Sequence, residues 1–470
     1  MKLNKRIIKV MVSVCALFLV TVVYLTYFTV FNADEIVKSS YNQRVWKKEE
    51  KILRGYITDR NGTVLAKSKM TKNGQKREYP FGELYAHTIG YNSRTYGKTN
   101  IELKYNDYLL KTESVIDVLK REKSQRDFNM GANLELTLDN GMTKLAAELM
   151  GKSAGGVVCL NPVTGEVYCL YSNPSFDPNE SELSENWEDL VQNENSPFIS
   201  RATQGLYAPG STFKIITAAA AVENGYEDFT VNDEGKIKID GMQIRNSGER
   251  VLGMLDLSGA LKSSSNVYFS ALSQKIGQEK LEEMINDFCI TKKLAFDTET
   301  KASKISLSKA DGAALAATAI GQGKLLTTPL HMALTASAVA NGGVMMKPYI
   351  VERAFFESGN EIYNAKAQVL SKPIKRSTAK LIEEGMIQCV QSGTGTAARV
   401  SGITVAGKTG TAENEKKNKT HAWFVCYAPA ENPQIAICVM KEYSGSGGGS
   451  VCAPVAARLI RYAKENGLVN

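Results

Sequence analysis

Between Val10 and Phe31 the chain runs for 22 residues without a charge, VMVSVCALFLVTVVYLTYFTVF. Wound as a helix, such a stretch spans roughly 33 Å, enough to cross a hydrocarbon core of about 30 Å. Lys2, Lys5, Arg6 and Lys9 precede it, and Asp34 and Glu35 follow. The excess of cations on the N-terminal side puts residues 1–9 in the cytoplasm as a short tail, 10–31 in the plasma membrane, and the rest of the chain outside the cell. A cleaved signal peptide would have a shorter apolar core and a small-x-small site after it, and neither is present. A single-pass anchor with an extracytoplasmic body is expected.

That body is globular by composition. Over 470 residues the hydrophobic share is 43% and the charged share 23%, ordinary for packed domains. The net charge of +8 is spread along the sequence, and no long basic run or aromatic-basic interleaving points to nucleic acid. Cys159, Cys169, Cys289, Cys389, Cys426, Cys438 and Cys452 are odd in number, include no CxxC, and mostly sit among apolar neighbours. They read as buried free thiols. His87, His331 and His421 have no metal-ligand spacing, so neither a metal nor a cofactor is expected.

After a charged stalk over 34–53, RGYITDRNGTVLA (Arg54–Ala66) alternates into and out of Asn61-Gly62, a hairpin signal. IELKYNDYLL, 101–110, reads as helix, and a small α+β pedestal ends near residue 130. Residues 133–150 read as strand, turn and amphipathic helix, and 155–179 as two strands. Residues 177–195, with seven acids and no base, read as a solvated loop. Helix is expected over 208–224 and through most of 256–342. The stretches 403–413, 421–429 and 434–443 alternate as strands, with a polar break at 414–420 and a last helix over about 453–465. Strands at both ends of residues 131–470 enclose a helical middle. The natural solution is one antiparallel sheet with helices on its faces, in an α+β protein.

Three short motifs carry chemistry. In YAPGSTFK, Ser211 and Lys214 fall three apart on one helical face. A serine hydroxyl is a poor nucleophile until a base takes its proton, and lysine is such a base only when burial or another cation lowers its pKa. In LKSSSNVYF, Ser264 and Asn266 project from a connector between helices, where Ser265 or Asn266 would also serve as a helix cap. In GKTGTAE, Lys408 and Thr409 point to opposite faces of a strand and Gly410 permits close backbone approach. Each motif alone is an ordinary helix start, cap or edge strand. Together, SxxK is followed after 53 residues by SxN, and then after 142 by KTG.

This ordered trio resembles that of the penicillin-recognising acyl-serine transferases. RGYITDRNG, TIGY, NSPFISRATQGLYAPGSTFKI, GQGKLLTTPLHMA and HAWFVCYAP extend the resemblance over nearly the whole chain, to class B penicillin-binding proteins of the smaller PbpA type. His331 stands where glutamine is usual, and Thr99-Asn100 replaces a glycine-containing pair. The resemblance implies a peptidoglycan D,D-transpeptidase that forms an acyl-serine and is inhibited covalently by β-lactams. Ser211 would be the nucleophile and Lys214 its base. Ser264 would be the proton relay, and Asn266 a donor-peptide contact that helps orient Lys214. Lys408, Thr409, Gly410 and Thr411 would form the substrate-carboxylate strand, with the N–H groups of Ser211 and Thr411 as the oxyanion hole. It implies stem peptides and β-lactams as ligands, and a membrane glycosyltransferase of the SEDS type as partner. A class D-like β-lactamase would carry an aliphatic residue at Asn266, and a β-lactam sensor several membrane spans. A non-catalytic wall-assembly scaffold would not need the intact trio.

Overall fold

The computed structural model describes residues 5–32, 46, 49, 51–72, 74–114, 130–307, 311–413 and 419–469. The stalk expected over 34–53 and the polar break at 414–420 lie largely outside the described residues. The anchor is a helix over Lys5–Tyr27 that continues as a π-helical turn, Phe28–Asn32, and the α-helix buries no side chain. Mean hydropathy reaches 2.5 within Lys5–Phe31, and among the described residues this is the one helix long and apolar enough to cross a membrane.

Six strands form the pedestal sheet, in the order Glu361–Asn364, Val351–Phe355, Asn133–Leu136, Ile57–Thr58, Val64–Thr71, Gly74–Glu78. Half of them come from beyond residue 130, so the sheet is built from both sides of the expected domain boundary. Ile57 pairs in parallel with Leu134 and antiparallel with Ala66, on the other edge of its strand. The Asn61-Gly62 turn closes the hairpin as its sequence predicts. Asp59 Oδ1 accepts from the N–H groups of Asn61 (3.0 Å) and Thr63 (2.7 Å), and Oδ2 accepts from Asn140 N–H at 3.1 Å. Asn140 opens the helix Asn140–Met150, whose cap Asp139 accepts from Met142 N–H and from Asn61 Nδ2. The DRNG turn is thereby clamped to the first helix of the catalytic region.

The pedestal core holds one buried ion cluster. Glu102 is fully buried between Arg54 Nε (2.6 Å) and Arg77 Nε (2.7 Å) and accepts from Tyr79 OH. Burial pushes its carboxyl up, but the two guanidiniums outweigh this and hold it below the usual range. The nearby replacement at Asn100 has a backbone reason. Asn100 adopts φ 48°, a left-handed conformation that asparagine tolerates better than most residues, and its Nδ2 donates to the His87 carbonyl.

A second sheet has five antiparallel strands in the order Ala406–Ala412, His421–Ala428, Ile435–Lys441, Gly155–Leu160, Val167–Asn173. Side chains alternate between two cores: Trp423, Val425 and Tyr427 face one, Phe424 and Cys426 the other. Helix Pro329–Ala340 covers the first face, and helices Asn140–Met150 and Ala453–Glu465 the second. The acidic stretch is not a loop: Glu180–Gln192 is a helix. Leu183, Trp187 and Leu190 recur at helical spacing. Leu183 is buried, and Trp187 stacks on Tyr96 with ring centroids 3.8 Å apart and packs against Phe198. Glu180 and Glu182 fall in the first turn, where acids suit the helix dipole.

All seven cysteines beyond the anchor are free and buried, and Cys159 faces Cys169 in register across neighbouring strands. Burial pushes the Cys426 and Cys438 thiols well up. Alkylation of the folded protein should therefore spare these seven, and all should react after denaturation. Mass spectrometry showing two or more native disulfides would contradict this. In the pedestal, Glu102→Gln leaves two buried guanidiniums without an anion and should destabilise the fold by about 3–5 kcal/mol. A denaturant midpoint within error of the parent would show that the cluster carries no such weight.

Candidate active site

Pro209 and Gly210 break the extended chain, and a 3-10 turn, Gly210–Phe213, presents Ser211. The α-helix begins only at Lys214 and runs to Glu223. The first turn of the expected helix is thus tighter than anticipated. In 3-10 geometry residues i and i+3 eclipse, which aligns Ser211 and Lys214 on one side more directly than an α-turn would. Lys214 is fully buried, backed by Ile215, Ile216 and Ala218–Ala221.

The SxN motif arrives from a helix end. Helix Leu257–Ser263 stops at Ser264, which adopts φ 61° and ψ 42°. Holding a serine there costs on the order of 1–3 kcal/mol. The reversal lets Ser264 serve two lysines. Lys214 Nζ donates to the Ser264 carbonyl at 2.8 Å, to Asn266 Oδ1 at 2.7 Å, and lies 3.5 Å from Ser264 Oγ. Lys408 Nζ donates to the same Oγ at 2.8 Å and to the Thr409 carbonyl at 3.1 Å. Ser265 caps helix Asn266–Ile276 by accepting from Tyr268 N–H, as one of the two readings of the motif expects, while its neighbours Ser264 and Asn266 face Lys214.

Electrostatics distinguish the two lysines. Burial holds Lys214 well below the usual lysine range, the charge of Lys408 pushes the same way, and Asp233 opposes. Burial brings Lys408 down to about 8. Near neutrality Lys214 is therefore suited to be a base and Lys408 to carry charge.

The KTG strand is an edge strand, as its sequence allows, but it is not solvated: Lys408 is fully buried and Thr409 nearly so. Thr409 Oγ1 is 2.6 Å from Thr394 Oγ1, while Thr411 is exposed. The bare face of Gly410 meets protein. A Cβ there would sit 2.8 Å from the Pro209 carbonyl and 2.9 Å from Thr212 Cγ2. Gly210, at φ 53°, reciprocates, since a Cβ on it would be 2.5 Å from the Thr411 carbonyl. Two glycines thus allow the Ser211 turn to lie directly on the KTG strand. A cleft of about 930 Å³ runs past Asn266, lined also by Tyr207, Arg245, Gln322, Glu413 and His421.

Sequence reasoning did not single out Asp233 or Asn246. Asn246 Oδ1 accepts from the N–H groups of Asn266 (2.8 Å) and Val267 (3.3 Å), and its Nδ2 donates to both oxygens of Asp233. Both residues sit beside glycines and charges, where aspartate and asparagine read as turn formers, and no local signal sets them apart.

Residues 155–461 match the model of the penicillin binding protein transpeptidase domain, and residues 54–125 that of the penicillin binding protein A dimerisation domain. The peptidoglycan D,D-transpeptidase PbpA of Mycolicibacterium smegmatis is 29% identical over 503 residues, spanning 99% of this chain and 100% of that protein. Penicillin-binding protein A of M. tuberculosis, solved as a ceftriaxone acyl-enzyme complex, superposes with a TM-score of 0.82 at 29% identity, over 88% of this chain and 99% of that one. The D,D-transpeptidase domain of a peptidoglycan glycosyltransferase from Eggerthella lenta gives 0.80 at 31%, over 89% and 100%. The chain belongs to the penicillin-binding protein transpeptidase family.

Proposed function

We infer that this chain is a peptidoglycan D,D-transpeptidase that cross-links stem peptides through an acyl-serine at Ser211, and that β-lactams inhibit it by acylating the same oxygen. The observation that carries this reading is the meeting of two buried lysines at the Ser264 hydroxyl, one of them, Lys214, a turn along the chain from Ser211. Relatives named D,D-transpeptidase and solved β-lactam acyl-enzymes support it.

Neutral Lys214 takes the Ser211 proton as Oγ attacks the carbonyl carbon of the donor's penultimate residue. The N–H groups of Ser211 and Thr411 stabilise the oxyanion. As the bond to the terminal D-alanine nitrogen breaks, the proton passes from Lys214 through Ser264 Oγ to the leaving amine. An acceptor amine then attacks the acyl carbon, its proton returns by the same route, and Ser211 is restored. Protonated Lys408 draws in the donor carboxylate, and Thr411 donates to it. Thr409 reaches it only by sharing a hydroxyl already engaged with Thr394. Asn266 Oδ1 keeps a second lone pair and Nδ2 a second N–H for a donor-peptide amide.

The division at 31 and 130, the cytoplasmic N-terminus, the plasma membrane as the site of the anchor, and a SEDS-type polymerase as partner belong to the same reading. The anchor's charge bias and the family resemblance support them. Replacing Val10–Phe31 with an unrelated apolar span should weaken co-purification of the host's SEDS proteins while penicillin still acylates Ser211. Undiminished co-purification would free the anchor of any role in partner choice.

Ser211→Ala should abolish labelling by fluorescent penicillin in a folded protein, and peptide mapping of the parent should place the label on Ser211. Lys214→Arg keeps a long basic side chain but stays protonated and cannot act as the base, and should slow acylation about 10²–10⁴-fold. Lys408→Arg should be milder, and equal small losses would remove the division of roles. Acylation needs Lys214 neutral and Lys408 charged. Its rate should rise through the depressed Lys214 pKa and fall again as pH passes about 8. A rate that stays flat well above that pH would contradict a charged Lys408.

A further inference from the structure

Asn266 can direct its oxygen at Lys214 only if something else fixes its amide. The Arg245 carbonyl, which can only accept, takes Asn266 Nδ2 at 2.8 Å, leaving Oδ1 for Lys214 Nζ at 2.7 Å. The next residue, Asn246, holds the backbone at the same point, its Oδ1 taking the first two N–H groups of helix Asn266–Ile276. Asn246 is in turn held by its Nδ2, which donates to Asp233 Oδ1 at 2.8 Å, to Asp233 Oδ2 at 2.9 Å and to the Arg250 carbonyl at 2.9 Å. Asp233 is fully buried. It also accepts from Gly235 N–H at 2.8 Å and from Ser265 Oγ, the middle residue of the SxN motif. One carboxylate thus grips both the segment that orients Asn266 and the loop that carries Ser264.

We propose that Asp233 and Asn246 are positioning residues of the acylation reaction: Asn246 fixes the helix start from which Asn266 offers its oxygen to Lys214, and Asp233 locks Asn246 and, through Ser265, the loop of Ser264, while setting a negative charge behind the base. The proposal rests on the acyl-serine reading above. Two charged groups act on Lys214, Lys408 from the KTG strand and Asp233 from strand Val231–Asp233. The SxN loop offers it neutral oxygens, and helix Asn266–Ile276 the face of Phe269 at 5.6 Å. Lys408 favours the neutral base and Asp233 the protonated one, so Asp233 moderates how far Lys214 falls.

The test is the pH–rate profile of penicillin acylation in the full chain, with thermal melts run alongside. Asp233→Asn keeps the shape, removes the charge and leaves one oxygen to accept from Asn246. The acid limb, set by Lys214, should move to lower pH, while the alkaline limb set by Lys408 stays near about 8. Asn246→Ala keeps the charge and removes the grip on Asn266. It should lower the plateau rate about tenfold or more with both limbs in place. If Asp233→Asn slows acylation equally at every pH, its charge has no role and the residue is structural. If Asn246→Ala folds and acylates like the parent, the positioning role is overturned, and this variant decides that role if Asp233→Asn does not fold. A parent protein that penicillin does not acylate at Ser211 would overturn the acyl-serine reading instead, a different outcome from a labelled parent with unaffected variants.

Discussion

Two fully buried lysines cannot both remain charged at close quarters. Lys214 and Lys408 each reach Ser264 Oγ, at 3.5 and 2.8 Å, so their nitrogens are no more than about 6 Å apart. At an effective dielectric of 20, two like charges at that distance repel by about 3 kcal/mol, which adds to the burial that already disfavours the charge on each. Lys214 gives way, because burial and the neighbouring charge act on it together while Asp233 offsets them only in part. The backbone around the site serves this pairing. Ser264 is held in a strained left-handed conformation so that one residue meets both nitrogens, and Gly210 and Gly410 let the two lysine-bearing segments touch without intervening side chains.

The meeting of three motifs was legible in the sequence because they stand in a fixed order. Lys214, Ser264 and Lys408 come together although 194 positions separate the first from the last. The strands at 421–428 and 435–441 stand where the sequence put them, but they are near-continuous apolar runs buried on both faces rather than alternating ones. What escaped was everything that depends on tertiary partners. Glu180–Gln192 looked like solvated loop because its seven-acid neighbourhood masked three apolar residues at helical spacing, and only Tyr96 and Phe198, distant in sequence, make those residues count. Gly410 was read as room for a ligand, yet the space beside it is filled by the turn that carries Ser211. Asp233 and Asn246 resemble any turn residues until Ser265 and Asn266 fold against them.

The pedestal sheet gives the division of the chain a different meaning. Ile57–Thr58 is an interior strand whose two edges bind Asn133–Leu136 on one side and Val64–Thr71 on the other. Excising the chain before residue 131 would strip Asn133–Leu136 of its parallel partner and leave a short run of backbone N–H and C=O groups open to whatever strand diffuses by. Such raw edges are where soluble proteins begin to stick together. The same cut would remove the Asp59 carboxylate from the N-terminus of helix Asn140–Met150. The two regions that sequence similarity separates are therefore one object for the purposes of folding, and in evolution the pedestal could be exchanged only for another that supplies a matching strand.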